Sequence, residues 1–208
     1  MGVRDQTVEA YLAAVAAAAP TPGGGSVSAL AGALSVALSR MVAGLARGKP
    51  GYEGVQQDLE RIEARAAPIQ ARLEALVEED SAAYELVLQA MRMPKATPAE
   101  KAARVEAMQA AYREATKVPL ETIERCVEAL EIARAAAETG NRSATTDAGV
   151  AVLLAEAAVR GASLNCRVNL ASIRDEAFRD AAQAKLADLL GTADRLGHEA
   201  MALVEGRL

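Results

Sequence analysis

Aromatic residues are nearly missing from this chain. Tryptophan is absent, Phe178 stands alone, and aromatics make up 2% of the 208 residues although 51% are hydrophobic. A core must then be built from Ala, Leu and Val. Close-packed helices suit that supply, because alanine has the strongest helix propensity and strands draw on β-branched and aromatic residues. An all-α fold follows, a helical bundle of long antiparallel helices forming a single domain over 1–208. Cysteine is equally scarce. Cys126 and Cys166 stand apart in helical sequence with no CxxC spacing and only His198 to offer a ring nitrogen, which argues against a zinc site or a disulfide framework and for two packing thiols. A positive excess is also lacking: the net charge is −5, with acidic and basic residues interspersed, so no nucleic-acid footprint is present. The N-terminus MGVRDQTVEA has no apolar signal core, and Gly2 lacks the Ser or Thr that a myristoylation motif needs at position six, so a cytoplasmic location is expected.

Long apolar runs are few, but one is present. From Val27 to Ala46 the only charge is Arg40. Its alanines and serines suit a helix buried in a bundle or oligomer better than a membrane span. So few polar positions leave no ordinary surface face, which predicts a homodimer or a larger even homo-oligomer.

Elsewhere the periodicity is regular. Val8, Tyr11, Leu12 and Val15 mark a first helix from about Asp5 to Ala19, stopped by Pro20. A triglycine loop precedes the apolar run. Next, Val55, Leu59, Ile62, Ala66, Ile69, Leu73, Leu76, Asp80, Ala83 and Val87 alternate spacings of four and three, a coiled-coil-like seam in which Pro68 predicts a kink or a break into two helices. Thr97, Pro98 and Glu100 form a capping box that opens the following helix. Pro119 then separates a further helix ending near Gly140, the stretch GNRSATTDAGV reads as a loop, and two helices follow, one from about Thr146 and the last carrying Phe178 to Leu203.

Asp80 is the anomaly in the seam, because its position otherwise holds Leu, Ile, Ala or Val. A carboxylate there must be paired, hydrogen-bonded or protonated, and desolvation would raise its pKa toward the range of a general acid or base. A structural carboxylate is the alternative. In TPGGGS, Ser26 can cap a helix whose first amides lie open between glycines, an arrangement that suits an anion or a flat ligand, or simply a sharp turn. Arg47, Lys49 and Tyr52 in RGKPGYE and Arg92 and Lys95 in RMPKA add polar groups at loops. Asn165 and Asn169, four apart on a helix face otherwise of alanine, suggest bonds across a helix interface.

The segments PTPGGGSVSALAGALSVALSRMV, EEDSAAY, MPK and SATTDAGVAVLLAEAAVRGASLNCRVNL together resemble the cyclodeaminase/cyclohydrolase family, the formiminotetrahydrofolate cyclodeaminase domain and its stand-alone relatives. The resemblance implies a dimerising all-helical domain that binds tetrahydrofolate, with the catalytic aspartate at Asp80 and no metal or redox cofactor. It implies that the glycine loop, Gly23, Gly24, Gly25 and Ser26, lies at the folate site. For such a site Lys49 and Lys95 are candidates for the folate carboxylates and Asp147 and Asn165 for pterin or imine contacts, with Tyr52 in the same substrate-binding set. Thr146-Asp147 stands where the family pattern suggests Ser-Asp, and no formiminotransferase segment accompanies the domain. The reaction expected is conversion of 5-formiminotetrahydrofolate to 5,10-methenyltetrahydrofolate and ammonia, with methenyltetrahydrofolate cyclohydrolase as the alternative. A non-catalytic helical oligomeric module would leave Asp80 unexplained.

Overall fold

The computed structural model of the chain describes residues 5–208; Gly2 and the myristoylation reading attached to it lie outside them. Six α-helices, and no strand among the described residues, make up the fold: α1 (Val8–Ala16), α2 (Gly24–Gly44), α3 (Gln56–Arg92), α4 (Pro98–Thr139), α5 (Thr145–Leu170) and α6 (Glu176–Glu205). Helices α2 to α5 run up, down, up and down. Cross-links show the alternation: Arg65 reaches Glu131 and Arg72 reaches Glu121 between α3 and α4, so a step along α3 is a step back along α4. Helix α6 runs parallel to α4, with Lys185 on Glu124 and Arg134 facing Glu199.

The core follows from composition. Leu59, Ile62, Leu73 and Leu76 of α3 meet Ile123 and Leu130 of α4 and the alanines Ala151, Ala155, Ala158 and Ala162 of α5. Small residues let backbones approach: a Cβ at Gly161 would overlap the Ser28 hydroxyl of α2. Cys126 and Cys166 are free and buried, and burial pushes both thiols up to about 12, which makes them packing groups. Arg40, the one charge in the apolar run, donates to Glu63 and Gln70 of α3. Helix α2 and the stretch 142–170 are long and apolar enough to cross a membrane, but half of each is buried against other helices, the pattern of core helices.

Several boundaries depart from the sequence expectation. Helix α1 ends at Ala16, four residues before Pro20, and buries only Tyr11, leaving Val8, Leu12 and Val15 exposed. The glycines are not a loop: Gly23 is the N-cap of α2 and Gly24 and Gly25 form its first turn, so Ser26 caps nothing. Helix α3 runs unbroken through Pro68 and α4 through Pro119. The capping box at Thr97 and Glu100 is formed as expected, with Pro98 as the first helical residue.

Candidate functional site

Three elements converge on Asp80. It lies past the middle of α3, one turn beyond the buried Leu76, and is half-buried. The Ser26 backbone N–H in the first turn of α2 donates to Asp80 Oδ2 at 3.0 Å. Such first-turn amides lack an intrahelical acceptor and carry the positive end of the helix dipole. Gly25 makes the approach possible, because a Cβ there would overlap the carboxylate. Asp80 Oδ1 has no hydrogen-bond partner among the described residues. Desolvation raises the Asp80 pKa, partly countered by the Ser26 N–H. Behind the helix turn, the buried Tyr11 hydroxyl and Ser26 Oγ share a hydrogen bond of 2.9 Å, which ties α1 to the same seat.

Asp80 opens into a cleft of about 170 Å³. Pro20, Thr21, Gly23 and Gly24 form one wall, Tyr84 stands a helical turn beyond Asp80, and Ala115, Asn165, Val168 and Asn169 close the other side. A Cβ at Gly24 would meet only Asn165 Nδ2, at an ordinary 3.7 Å. The space in front of Gly24 therefore belongs to the cleft. Among the described residues no group of three His, Cys, Asp or Glu side chains could hold a metal ion.

The expected site residues divide. Asp80, Gly23, Gly24 and Asn165 line this cleft together. Gly25 and Ser26 lie directly behind it: Ser26 is fully buried, with its hydroxyl on Tyr11 and its amide on Asp80, so it holds the carboxylate and does not face the cleft. Lys49, Tyr52 and Asp147 are not brought to it within one chain. Lys49 and Tyr52 follow the far end of α2, about 30 Å of helix from Gly24 at 1.5 Å per residue. Asp147 lies on the first turn of α5, about 27 Å before Asn165 by the same rise. Tyr52 there accepts the Arg142 backbone N–H at 3.0 Å. Lys95 sits in the α3–α4 connection, about 18 Å of helix past Asp80. Sequence reasoning missed Tyr11, Tyr84 and the cleft role of Asn169. Tyr84 was legible as the residue four past Asp80 on one helix face; nothing local marks Tyr11, whose partner is fifteen residues away.

This arrangement can anchor one oxygen of a carboxyl group, leave the other to exchange a proton, and admit a flat polar ring beside it. The model of the family Formiminotransferase-cyclodeaminase matches residues 7–188. The chain belongs to this family. It is similar to the methenyltetrahydrofolate cyclohydrolase of Methylorubrum extorquens, 37% identical over 204 residues that cover 98% of each chain. It is also 32% identical over 189 residues to the formimidoyltransferase-cyclodeaminase of Rattus norvegicus, covering 91% of this chain but only 35% of that longer protein. Among solved structures, the formiminotetrahydrofolate cyclodeaminase of Thermotoga maritima superposes with a TM-score of 0.88 over 98% of each chain at 29% identity.

Proposed function

We propose that this family member is a formiminotetrahydrofolate cyclodeaminase, in which Asp80 is the acid–base catalyst at the folate one-carbon bridge. The observation that carries the reading is the Asp80 carboxyl itself, half-buried at the glycine-walled cleft, anchored through Oδ2 by the Ser26 N–H and with Oδ1, which packs against Gly25, left without a hydrogen bond among the described residues. In the reaction, folate N10 attacks the formimino carbon on N5, the carbon–nitrogen bond to the terminal nitrogen breaks, ammonia leaves, and the methenyl bridge remains. The formimino nitrogen enters protonated, as the amidinium, and Asp80 takes the proton from N10 and returns it to that nitrogen as it departs, which completes the three hydrogens of ammonia. The chemistry calls on no metal or redox cofactor. At about 170 Å³ the cleft suits the pterin head, below the size range of sites that enclose a whole drug-sized ligand; the rest of the folate extends outward.

A second reading, hydrolysis of 5,10-methenyltetrahydrofolate, is favoured by the full-length similarity to the Methylorubrum extorquens cyclohydrolase. Here the carboxylate would take a proton from water attacking the bridge carbon and pass it to N5 as the bond from N5 to that carbon breaks, which leaves the formyl group on N10 and releases the remaining hydroxyl proton to solvent. Purified protein given 5-formiminotetrahydrofolate decides between them: ammonia release with rising methenyltetrahydrofolate absorbance supports the first, whereas loss of absorbance from supplied methenyltetrahydrofolate, with no ammonia from the formimino compound, supports the second.

The proposal includes one domain acting in the cytoplasm as a homodimer or larger even assembly. Val27, Leu34 and Met41 on α2, Leu45 at its C-terminal cap, and Val150, Leu153, Leu164 and Val168 on the neighbouring α5 are exposed, an apolar face of a kind that isolated chains seldom leave open.

A further inference from the structure

Pro119 lies buried in the interior of α4. A proline there has no N–H for the carbonyl four residues earlier, so the backbone oxygen of Ala115 loses its intrahelical partner. A different helix takes it up: Asn169 Nδ2 of α5 donates to the Ala115 oxygen at 2.7 Å. A carbonyl can only accept, so this bond fixes which end of the carboxamide faces α4. The other end, Oδ1, has no hydrogen-bond partner among the described residues, and Asn169 and Ala115 both line the Asp80 cleft. Pro68 in α3 provides the contrast. It and Ala64, four residues before it, are exposed, and no described side chain bonds the Ala64 carbonyl. Only the buried proline has its freed carbonyl tied to a side chain of the cleft.

Placement follows from the helix. Asn165, whose amide nitrogen lies against the open face of Gly24, is followed one turn along α5 by Asn169, about 6 Å away. That step is close to the length of a fused bicyclic ring. With its reactive bridge beside Asp80, a pterin would present its pyrimidine edge to Asn169.

We infer that Asn169 is a specificity-determining residue whose Oδ1 accepts a hydrogen bond from the exocyclic 2-amino group of the pterin, and that Pro119 positions it by freeing the Ala115 carbonyl. This rests on the folate reading above. A neutral acceptor aimed at that group distinguishes a 2-aminopterin from a ring carrying an alkyl group at the same place, because the analogue leaves a desolvated oxygen unpaired.

The test compares the tetrahydrofolate substrate turned over by the wild type with its 2-desamino-2-methyl analogue. Wild type should favour the amino compound by about tenfold or more in kcat/KM, the scale of one hydrogen bond. Asn169→Ala should lower kcat/KM for the amino compound, mainly through KM, and abolish the difference between the two compounds. Pro119→Ala returns a backbone N–H to Ala115, so it should release Asn169 and raise KM for the amino compound several-fold without lowering the melting temperature. If Asn169→Ala folds poorly, the double variant Pro119→Ala/Asn169→Ala satisfies the carbonyl from within α4 and should show the same lost discrimination. Equal losses on both compounds, or wild-type discrimination in the Asn169 variants, would overturn the inference while leaving the folate reading intact. No turnover or binding of any tetrahydrofolate by the wild type would overturn both.

Discussion

At Asp80 two opposing influences meet: burial disfavours the ionised carboxylate, and the Ser26 N–H favours it, with burial the larger. The native carboxyl therefore holds its proton more tightly than the unfolded chain does. Its contribution to stability is largest below the ordinary aspartate range and falls as pH rises through the raised native value. Asp80→Asn removes that decline and keeps an oxygen for the Ser26 amide, so its melting temperature should gain on wild type as pH rises from the ordinary aspartate value through the raised native one. A gap independent of pH would contradict the burial of this charge. Catalysis has the opposite slope, since a base must be ionised: turnover should fall with decreasing pH about a midpoint above the usual aspartate range. The two glycines beside it separate by role. Gly25→Ala should push the carboxylate from its seat, lowering both stability and turnover. Gly24→Leu should leave the melting temperature nearly unchanged and weaken folate binding tenfold or more, as titration calorimetry would show; unchanged affinity would make the first turn of α2 structural alone.

Helix ends were largely legible in the sequence, and helix interiors at proline were not. Thr97, Pro98 and Glu100 announced the start of α4 because a capping box is local chemistry; Thr97→Ala should cost about 1 kcal/mol in chemical denaturation. Pro68 read as a kink or a break and Pro119 as a break because proline removes one backbone bond, yet neither broke its helix. At Pro119 a residue fifty positions away supplies the missing donor, a compensation that no window of sequence contains. The triglycine read as a loop for a related reason: glycine at Gly25 answers to the carboxylate of α3, not to a turn. Asp80 was visible because it broke a heptad pattern. Lys49 and Tyr52 were chosen as polar groups of a loop and Asp147 as a polar residue at a helix start, and the length of α2 and α5 places them at the other end of the bundle.

On the scale of the whole molecule, the exposed apolar stripes of α2 and α5 predict a homodimer or larger even assembly at micromolar concentration by light scattering. Leu34→Glu should shift it toward monomer, and a monodisperse wild-type monomer would contradict the proposed assembly. A bound folate should stabilise the whole fold: at one hundred times its dissociation constant, ligand adds about 2.7 kcal/mol, readable as a rise in melting temperature that a non-catalytic helical module would not show.

The most direct test of the central claim is turnover of 5-formiminotetrahydrofolate and of 5,10-methenyltetrahydrofolate by wild type and Asp80→Asn, with ammonia and methenyl absorbance followed together. Wild type should act on at least one of the two, and the variant should bind folate with similar affinity while losing about two to four orders of magnitude in rate. A folded Asp80→Asn protein that turns over at the wild-type rate would contradict the assignment of Asp80 as the acid–base catalyst.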